Sequence, residues 1–497
     1  MTTPLWRDVT AEIPLTALPS GLRVDVAVVG AGFTGLHTAL LLARAGLRVA
    51  VVEARRVGAG ASGATTAKAT LLQRTRLSDI ADRHGRDAAA AYLAANDFGL
   101  EWMAGFCRDH DVPVERTRAV TFSTTDDGAE AVRREYATAR DLGLPVELIE
   151  HPAEEFATHL AVALPDMLQL DPADLLVALG RAVVDAGGSI HDHTRVTGLD
   201  SGADGVTVET TAGTLHAGKV VLATASPILD HGRTTMSLAA QRSYLCAYRA
   251  PGPLPEGMFI SAEEPTISLR TARVDGDEWL LVGGQGHPTG QEADTGARLA
   301  DLDAWADHHV PGARRTHAWS AQDYHPVSML PVVEKLSWGG DRVFFAGGYS
   351  KWGLAAAPAA AHIVADLVAG REPTLTFGSP SVAATAATTA STLTKAATAA
   401  AGHLAGALTG EPTRGPDDSS VLDEGEAATG RAGVRPVGES VVDGRTCRVS
   451  LLCTHMGGLL EWNEVEQSWD CPLHGSRFAA DGTVLEGPAV KDLPQVE

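Results

Sequence analysis

The chain reads as an α/β protein built on a parallel sheet, with an inserted, mostly antiparallel sheet and a small all-β domain at its end. Three observations predict this. A strand, a glycine-rich turn, a helix and a second strand follow one another over residues 25–53. Alternating apolar segments then interrupt the later strand–helix pairs. A Gly-rich tail with short strands begins near residue 417, after a stretch rich in Ala, Thr, Gly and Pro.

In chain order, 25–30 is a short buried strand, 33–45 has helical spacing, and 48–53 is a second strand ending in Glu53. Residues 79–111 form a helical pattern that becomes amphipathic through Trp102 and Phe106. Strand patterns follow at 120–123, 205–210, 220–224 and 279–282, the last leading into Gly283-Gly284. A final apolar strand, 342–346, breaks at Gly347-Gly348 before a helical run over 354–368. The expected division is an α/β region over 1–375, an Ala/Thr-rich helical linker over 376–416 and a β domain over 417–497.

At 497 residues, with 44% hydrophobic and 21% charged residues, the chain is long enough for two or three globular domains. A formal net charge of −22 argues against nucleic acid and anionic membrane surfaces as partners. Five Cys form no disulfide framework, which predicts a reducing, cytoplasmic setting. Residues 1–10 lack the basic and apolar regions of a signal peptide. Residues 379–409 are long enough to span a bilayer, but their apolarity is weak, so an Ala-rich helix or linker is expected there.

The turn Gly30-Ala31-Gly32-Phe33-Thr34-Gly35 lies between strand and helix, with Glu53 about twenty residues on. The first Gly makes the turn, the second admits a pyrophosphate, and the third lets helix and strand pack. The helix N-terminus supplies N–H donors, and Glu53 accepts from ribose hydroxyls. The stretch continues through Ala54-Arg55-Arg56 to Ser62-Gly63-Ala64-Thr65-Thr66-Ala67-Lys68. Near the other end runs Phe344-Phe345-Ala346-Gly347-Gly348-Tyr349-Ser350-Lys351-Trp352-Gly353-Leu354. Together these segments resemble the D-amino-acid-oxidase-like FAD oxidoreductases, which include glycine and sarcosine oxidases.

The resemblance implies an FAD-binding Rossmann-like domain and an inserted substrate domain. It implies FAD contacts from Gly30, Gly32, Phe33, Thr34, Gly35, Glu53, Ala54, Arg55, Ser62, Thr65, Thr66, Ala67 and Lys68. Val196, Ala223, Gly347, Gly348, Lys351, Trp352, Gly353 and Leu354 complete that set. Some relatives attach flavin to a Cys late in the FAD domain. This chain has no Cys between Cys246 and Cys447, so that linkage is not available. Glu334 stands where relatives usually have Gly, and a place near the flavin is expected for it.

The tail contains Cys453-Thr454-His455 and, fifteen residues on, Cys471-Pro472-Leu473-His474. Two Cys and two His also suit zinc. The flanks, Gly457-Gly458 and Trp469-Asp470-Cys471-Pro472-Leu473-His474-Gly475-Ser476-Arg477-Phe478, resemble the Rieske signature. The resemblance implies a 2Fe–2S cluster held by Cys453, His455, Cys471 and His474. High-potential Rieske proteins add a disulfide at the positions of Gly458 and Leu473, and a Tyr at that of Phe478. A potential in the lower half of the Rieske range is therefore expected.

The superfamily moves hydride from a carbon beside nitrogen to flavin. The expected activity is an amine or amino-acid dehydrogenase that passes single electrons through the cluster to an external carrier. Reversed flow, with reductant entering at the cluster, and a redox-sensing module are the alternatives. Candidate catalytic residues are Lys68, His287, Tyr324, Lys351 and Trp352, with Trp319, Asp323 and His325 also on the expected substrate side.

Overall fold

The computed structural model describes residues 3–150, 158–230, 232–292, 294–381, 386, 390, 422–433 and 435–496. Most of the expected linker, and most of the stretch weighed for membrane insertion, lie outside the described residues.

The first sheet has the order Val332–Lys335, Val343–Gly347, Gly213–Leu222, Leu22–Val29, Val49–Val52, Ser189–His191, with the hairpin Val196–Gly202 and Gly205–Thr210 attached to Gly213–Leu222. The C-terminal ends of its inner strands, residues 26–29, 49–52 and 220–222, are apolar and buried because helices cover the sheet. The inner strands pair in parallel, with Val29 opposite both Val52 and Leu222, and Leu222 opposite Phe345; Val332–Lys335 and the hairpin are antiparallel. The four strands therefore end along one edge of the sheet. The chain diverges to either side of Leu22–Val29 there, the crevice where open α/β sheets take ligands. Helices Phe33–Arg44 and Gly353–Val368 both start from that edge.

The inserted sheet has nine strands and is mainly antiparallel; Met258–Ser261 with Val114–Ser123 is a parallel pair. Three long strands at its far side, Leu238–Arg249, Asp277–Pro288 and Arg314–Pro326, carry Arg242, His287 and Tyr324. The helical pattern expected over 79–111 is two helices, Arg76–His84 and Arg86–Asp109. Gly85, at φ +90°, breaks them apart, a conformation that favours glycine.

The C-terminal domain holds a three-stranded sheet, Ala427–Ala432, Arg435–Val442 and Arg445–Ser450. A four-stranded one follows, Glu461–Asn463, Ser468–Asp470, Arg477–Ala479 and Val484–Glu486, also antiparallel. Val449, Leu451, Trp469, Phe478 and Leu493 form its core with the two Cys ligands. Among the described residues no helix is long and apolar enough to cross a membrane.

Candidate functional site

The glycine-rich turn is dictated by close approaches. Gly30 sits at φ +103°, and a Cβ there would stand 2.7 Å from the Ala223 carbonyl oxygen. A Cβ on Gly35 would come within 1.9 Å of the Gly30 oxygen. Gly32 caps helix Phe33–Arg44 without a side chain, and Ser62 Oγ accepts from Phe33 N–H at 3.0 Å. The Glu53 carboxylate also ties this loop. One oxygen accepts from Ala31 N–H at 2.8 Å and the other from Arg55 N–H at 2.9 Å. Each retains lone-pair capacity for a ribose hydroxyl.

These elements wall one cleft. Gly30, Gly32, Phe33, Thr34, Glu53, Ala54, Arg55, Ser62 and Thr65 line it, with Val196, Ala223, Gly348, Lys351, Gly353 and Leu354. Two helices begin at the cleft, and neither N-cap residue, Gly32 or Trp352, caps its helix with a side chain. Such N-termini offer donors and positive potential to phosphate and to an anionic ring edge. The cradle fits FAD.

Several expected residues do not line it. Gly35 and Gly347 serve packing, with a Cβ on Gly347 meeting Phe345 at 2.7 Å. Thr66, Ala67 and Lys68 are not among the cleft's lining residues. Lys68 lies in a short strand against Gln169, and its amine donates to Phe259 O at 3.0 Å and to Ser268 Oγ. Burial, then Arg270 and Lys351, push it down to about 7. Trp352 holds the N-cap instead of a cleft wall. His287 is buried beside Tyr244, its Nδ1 3.0 Å from Gln285 O. Trp319 is buried too and donates to Ala64 O. Glu334 is exposed on the edge strand and accepts from Thr234 at 2.5 Å, away from the cleft.

The cleft also holds Asp323, Tyr324 and Lys351. Asp323 pairs with His325 Nε2 at 2.6 Å. Burial pushes its carboxyl up, but His325, Lys351 and Arg76 outweigh this and hold it below the ordinary range. Lys351 Nζ donates to Ser243 Oγ at 2.5 Å. Ser350 and Lys351 both lie in the left-handed region, at φ +48° and +77°. That strained turn carries the lysine into the cleft.

The two ligand loops are matched turns. Cys453 N–H donates to Gly458 O and Gly457 N–H to Cys453 O, at 2.8 and 2.9 Å. Cys471 N–H donates to Ser476 O and Gly475 N–H to Cys471 O, at 2.8 and 3.0 Å. Gly457 and Gly475 take φ +72° and +77°. The thiols are in mutual hydrogen-bond contact, and the imidazoles lie together with centroids 5.2 Å apart. Nδ1 of each ring is buried, while Nε2 turns to the FAD domain, at Asp230 O for His455 and Met236 Sδ for His474. Among the described residues no three His, Cys, Asp or Glu gather to hold one ion. A sulfur pair beside a nitrogen pair fits two irons with unlike ligands.

Leu473 lies over Gly458, which a Cβ would bring to 2.8 Å, and Phe478 is fully buried. Ser476 Oγ accepts from Ala489 N–H at 3.0 Å. Phe478→Tyr should raise the cluster potential in voltammetry. One added hydrogen bond to sulfur is worth about 1 kcal/mol, or roughly 40 mV for one electron. A fall in potential would contradict this.

The C-terminal domain closes the cleft. Leu485, Glu486, Gly487 and Val490 line it alongside the glycine-rich turn. Tyr324 joins the two sites: its hydroxyl lies 3.1 Å from Gly487 O and 3.3 Å from His474 O, and accepts from Gln322 at 3.0 Å. Gln322 also donates to Gly475 O at 2.8 Å.

Beside this bridge is a buried ion network that sequence reasoning missed. Arg242 is 2% exposed and holds both Glu466 oxygens, at 2.8 and 2.6 Å, and Glu486 at 3.0 Å. Arg477 reaches Glu466 at 2.6 Å and Asp470 at 2.9 Å. Burial pushes Glu466 up, but the two arginines prevail and hold it at about 2. Asp470 and Arg477 adjoin Cys471 and Ser476, so one network spans the domain junction and the second ligand loop. The only sequence signal was the placement of Asp470 and Arg477 within the ligand motif.

The FAD dependent oxidoreductase family matches residues 25–367, and the Rieske [2Fe-2S] domain family matches 418–497. The Bacillus subtilis (strain 168) protein YhfW, whose name marks it as a Rieske 2Fe-2S iron-sulfur protein, is 29% identical over 99% of this chain and 97% of its own. Glycine oxidase of Geobacillus kaustophilus (strain HTA426) is 27% identical over 70% of this chain and 94% of its own. A crystal structure of glycine oxidase from that species superposes with a TM-score of 0.60 at 24% identity, over 71% of this chain and 97% of the other. The chain belongs to the FAD dependent oxidoreductase family and carries a C-terminal Rieske domain, so its two cofactors are FAD and a 2Fe–2S cluster.

Proposed function

We propose that the chain is a dehydrogenase of amines or amino acids that sends substrate electrons through its own cluster to an external one-electron carrier. The observation that carries this is Tyr324, which lines the FAD cleft and reaches the carbonyl of His474, a cluster ligand. FAD supplies a two-electron acceptor and the cluster a one-electron one. The glycine oxidase relative supports a nitrogen-bearing substrate. Asp323, kept ionised by its neighbours, is placed to hold a substrate ammonium, and Lys351 to hold a carboxylate or the flavin edge. Trp352 and Lys68 position the closing turn and the sheet beneath it, and His287 supports the domain junction. The division at 375 and 417 belongs to the same reading, and so does a cytoplasmic setting, supported by Cys107, Cys246 and Cys447, which pair in no disulfide.

The purified protein should contain one FAD, two irons and two sulfides per chain, with a Rieske-type EPR signal on reduction. Screening amines and amino acids anaerobically should find one that bleaches the flavin and then brings up that signal. One equivalent of zinc and no signal would remove the cluster, and with it the proposed route. A flavin inert to every such compound, beside a responsive cluster, would favour a sensor.

A further inference from the structure

The two ligand loops face different surroundings. The second packs on the FAD domain: a Cβ on Gly475 would sit 2.3 Å from Ala240, and Tyr324 and Gln322 contact the same turn. The first reaches that domain through the His455 ring, and its Leu452, Met456 and Gly457 are exposed. Leu452 and Met456, which bracket Cys453 and His455, are 38% and 43% exposed. Among the described residues only Val114 and Trp338 are other large apolar side chains that open. Exposed apolar side chains thus flank both ligands of the first loop.

Charge lies next to it. Thr454 Oγ1 donates to Lys491 O at 2.5 Å. Lys491 shares a cleft at the domain junction with Arg55, Arg56, His193 and Arg195, and Asp492 is its one acidic lining residue. Arg56 also pairs with the exposed Asp8, and Arg55 lies 3.9 Å from Glu486. His193 lies 3.7 Å from Asp192, and Glu53 stands near Arg195. The cleft's own lining still carries four arginine and lysine side chains against one carboxylate, in a chain of formal net charge −22. An apolar centre beside a basic flank is the make-up of a transient protein interface, and the local sign decides which partners are steered there.

We propose that Leu452, Met456 and the basic cleft beside Lys491 form the docking face for a small acidic one-electron carrier protein. This rests on the cluster assignment under the proposed function. One electron leaves the reduced cluster, which returns to its oxidised state, and reduces the carrier's metal by one unit. The buried His474 side receives electrons and the exposed loop around Met456 releases them.

The test uses holoenzyme reduced anaerobically with dithionite and freed of excess, mixed with an acidic blue-copper protein or with a basic c-type cytochrome. Copper(II) should be reduced to copper(I) faster than the cytochrome is reduced at low salt, and its second-order rate should fall as salt rises. Lys491→Glu and the neutral Met456→Gln should each slow the copper protein about tenfold, with the EPR signal unchanged. Calorimetry of oxidised enzyme with the oxidised copper protein should show the same weakening without turnover. A faster reaction with the basic cytochrome, or rates indifferent to both substitutions, would overturn the docking face while leaving the cluster in place. Absence of the EPR signal would remove the cluster assignment and this proposal together.

Discussion

Replacing Arg242 with methionine should release the Rieske domain from the FAD domain. The guanidinium is 2% exposed and bridges two carboxylates of the other domain, Glu466 and Glu486. Removing one partner of a buried ion pair costs about 3–5 kcal/mol, because the remaining charge stays buried and uncompensated. Arg477 can still neutralise Glu466, at 2.6 Å, but its own Glu486 contact is longer, at 3.5 Å. Undocking lets water reach the carboxylates, so most of the loss should fall on the junction and little on either core. Small-angle scattering should show a larger radius of gyration, with the cluster's EPR signal retained. Arg242→Lys should fall between, since it keeps the charge but loses the paired donors. A scattering profile equal to that of the parent protein would contradict the latch.

Gly35→Ala should abolish FAD retention while leaving the cluster intact. The new Cβ would stand 1.9 Å from the Gly30 carbonyl oxygen, a backbone atom held by the strand above it. Relief requires moving the helix start away from the sheet, which dismantles the turn that receives the pyrophosphate. Gly32→Val should be milder at its Cβ, which meets the movable Ser62 hydroxyl at 2.9 Å, yet its methyls still occupy the phosphate path. Glu53→Gln should also loosen the loop, because an amide replaces one of two oxygens that accept backbone N–H groups. Flavin absorbance after gel filtration, with iron content as the control, measures all three. Gly35→Ala protein that elutes fully yellow would contradict the account of the turn.

What was legible in the sequence is what short-range geometry constrains. The glycine turn and the Cys–His loops each pack their requirements into a few consecutive residues, so residue type and spacing reveal them. Gly85 was legible in principle, yet helical spacing on both sides hid the break. The roles of Lys68, His287 and Tyr324 were not legible, because each depends on which strands pair. Lys68 was expected near the flavin, but pairing with Gln169 buries its amine beneath the inserted sheet. Tyr324 was expected to face substrate; it lines the cleft, and its hydroxyl also reaches the second ligand loop, which spacing along the chain could not show. Arg242 gave no signal: an arginine on a strand commonly ends in solvent, and its partner Glu466 lies 224 residues away in the chain.

Under the proposed function, flavin and cluster should exchange electrons within one chain across the Tyr324 contact. Flash photoreduction of the bound flavin under anaerobic conditions, followed by the cluster's absorbance, tests it most directly. Cluster reduction is expected at a first-order rate that does not change with enzyme concentration and drops sharply in Arg242→Met. A rate proportional to enzyme concentration, or a flavin that stays reduced beside an oxidised cluster, would contradict it.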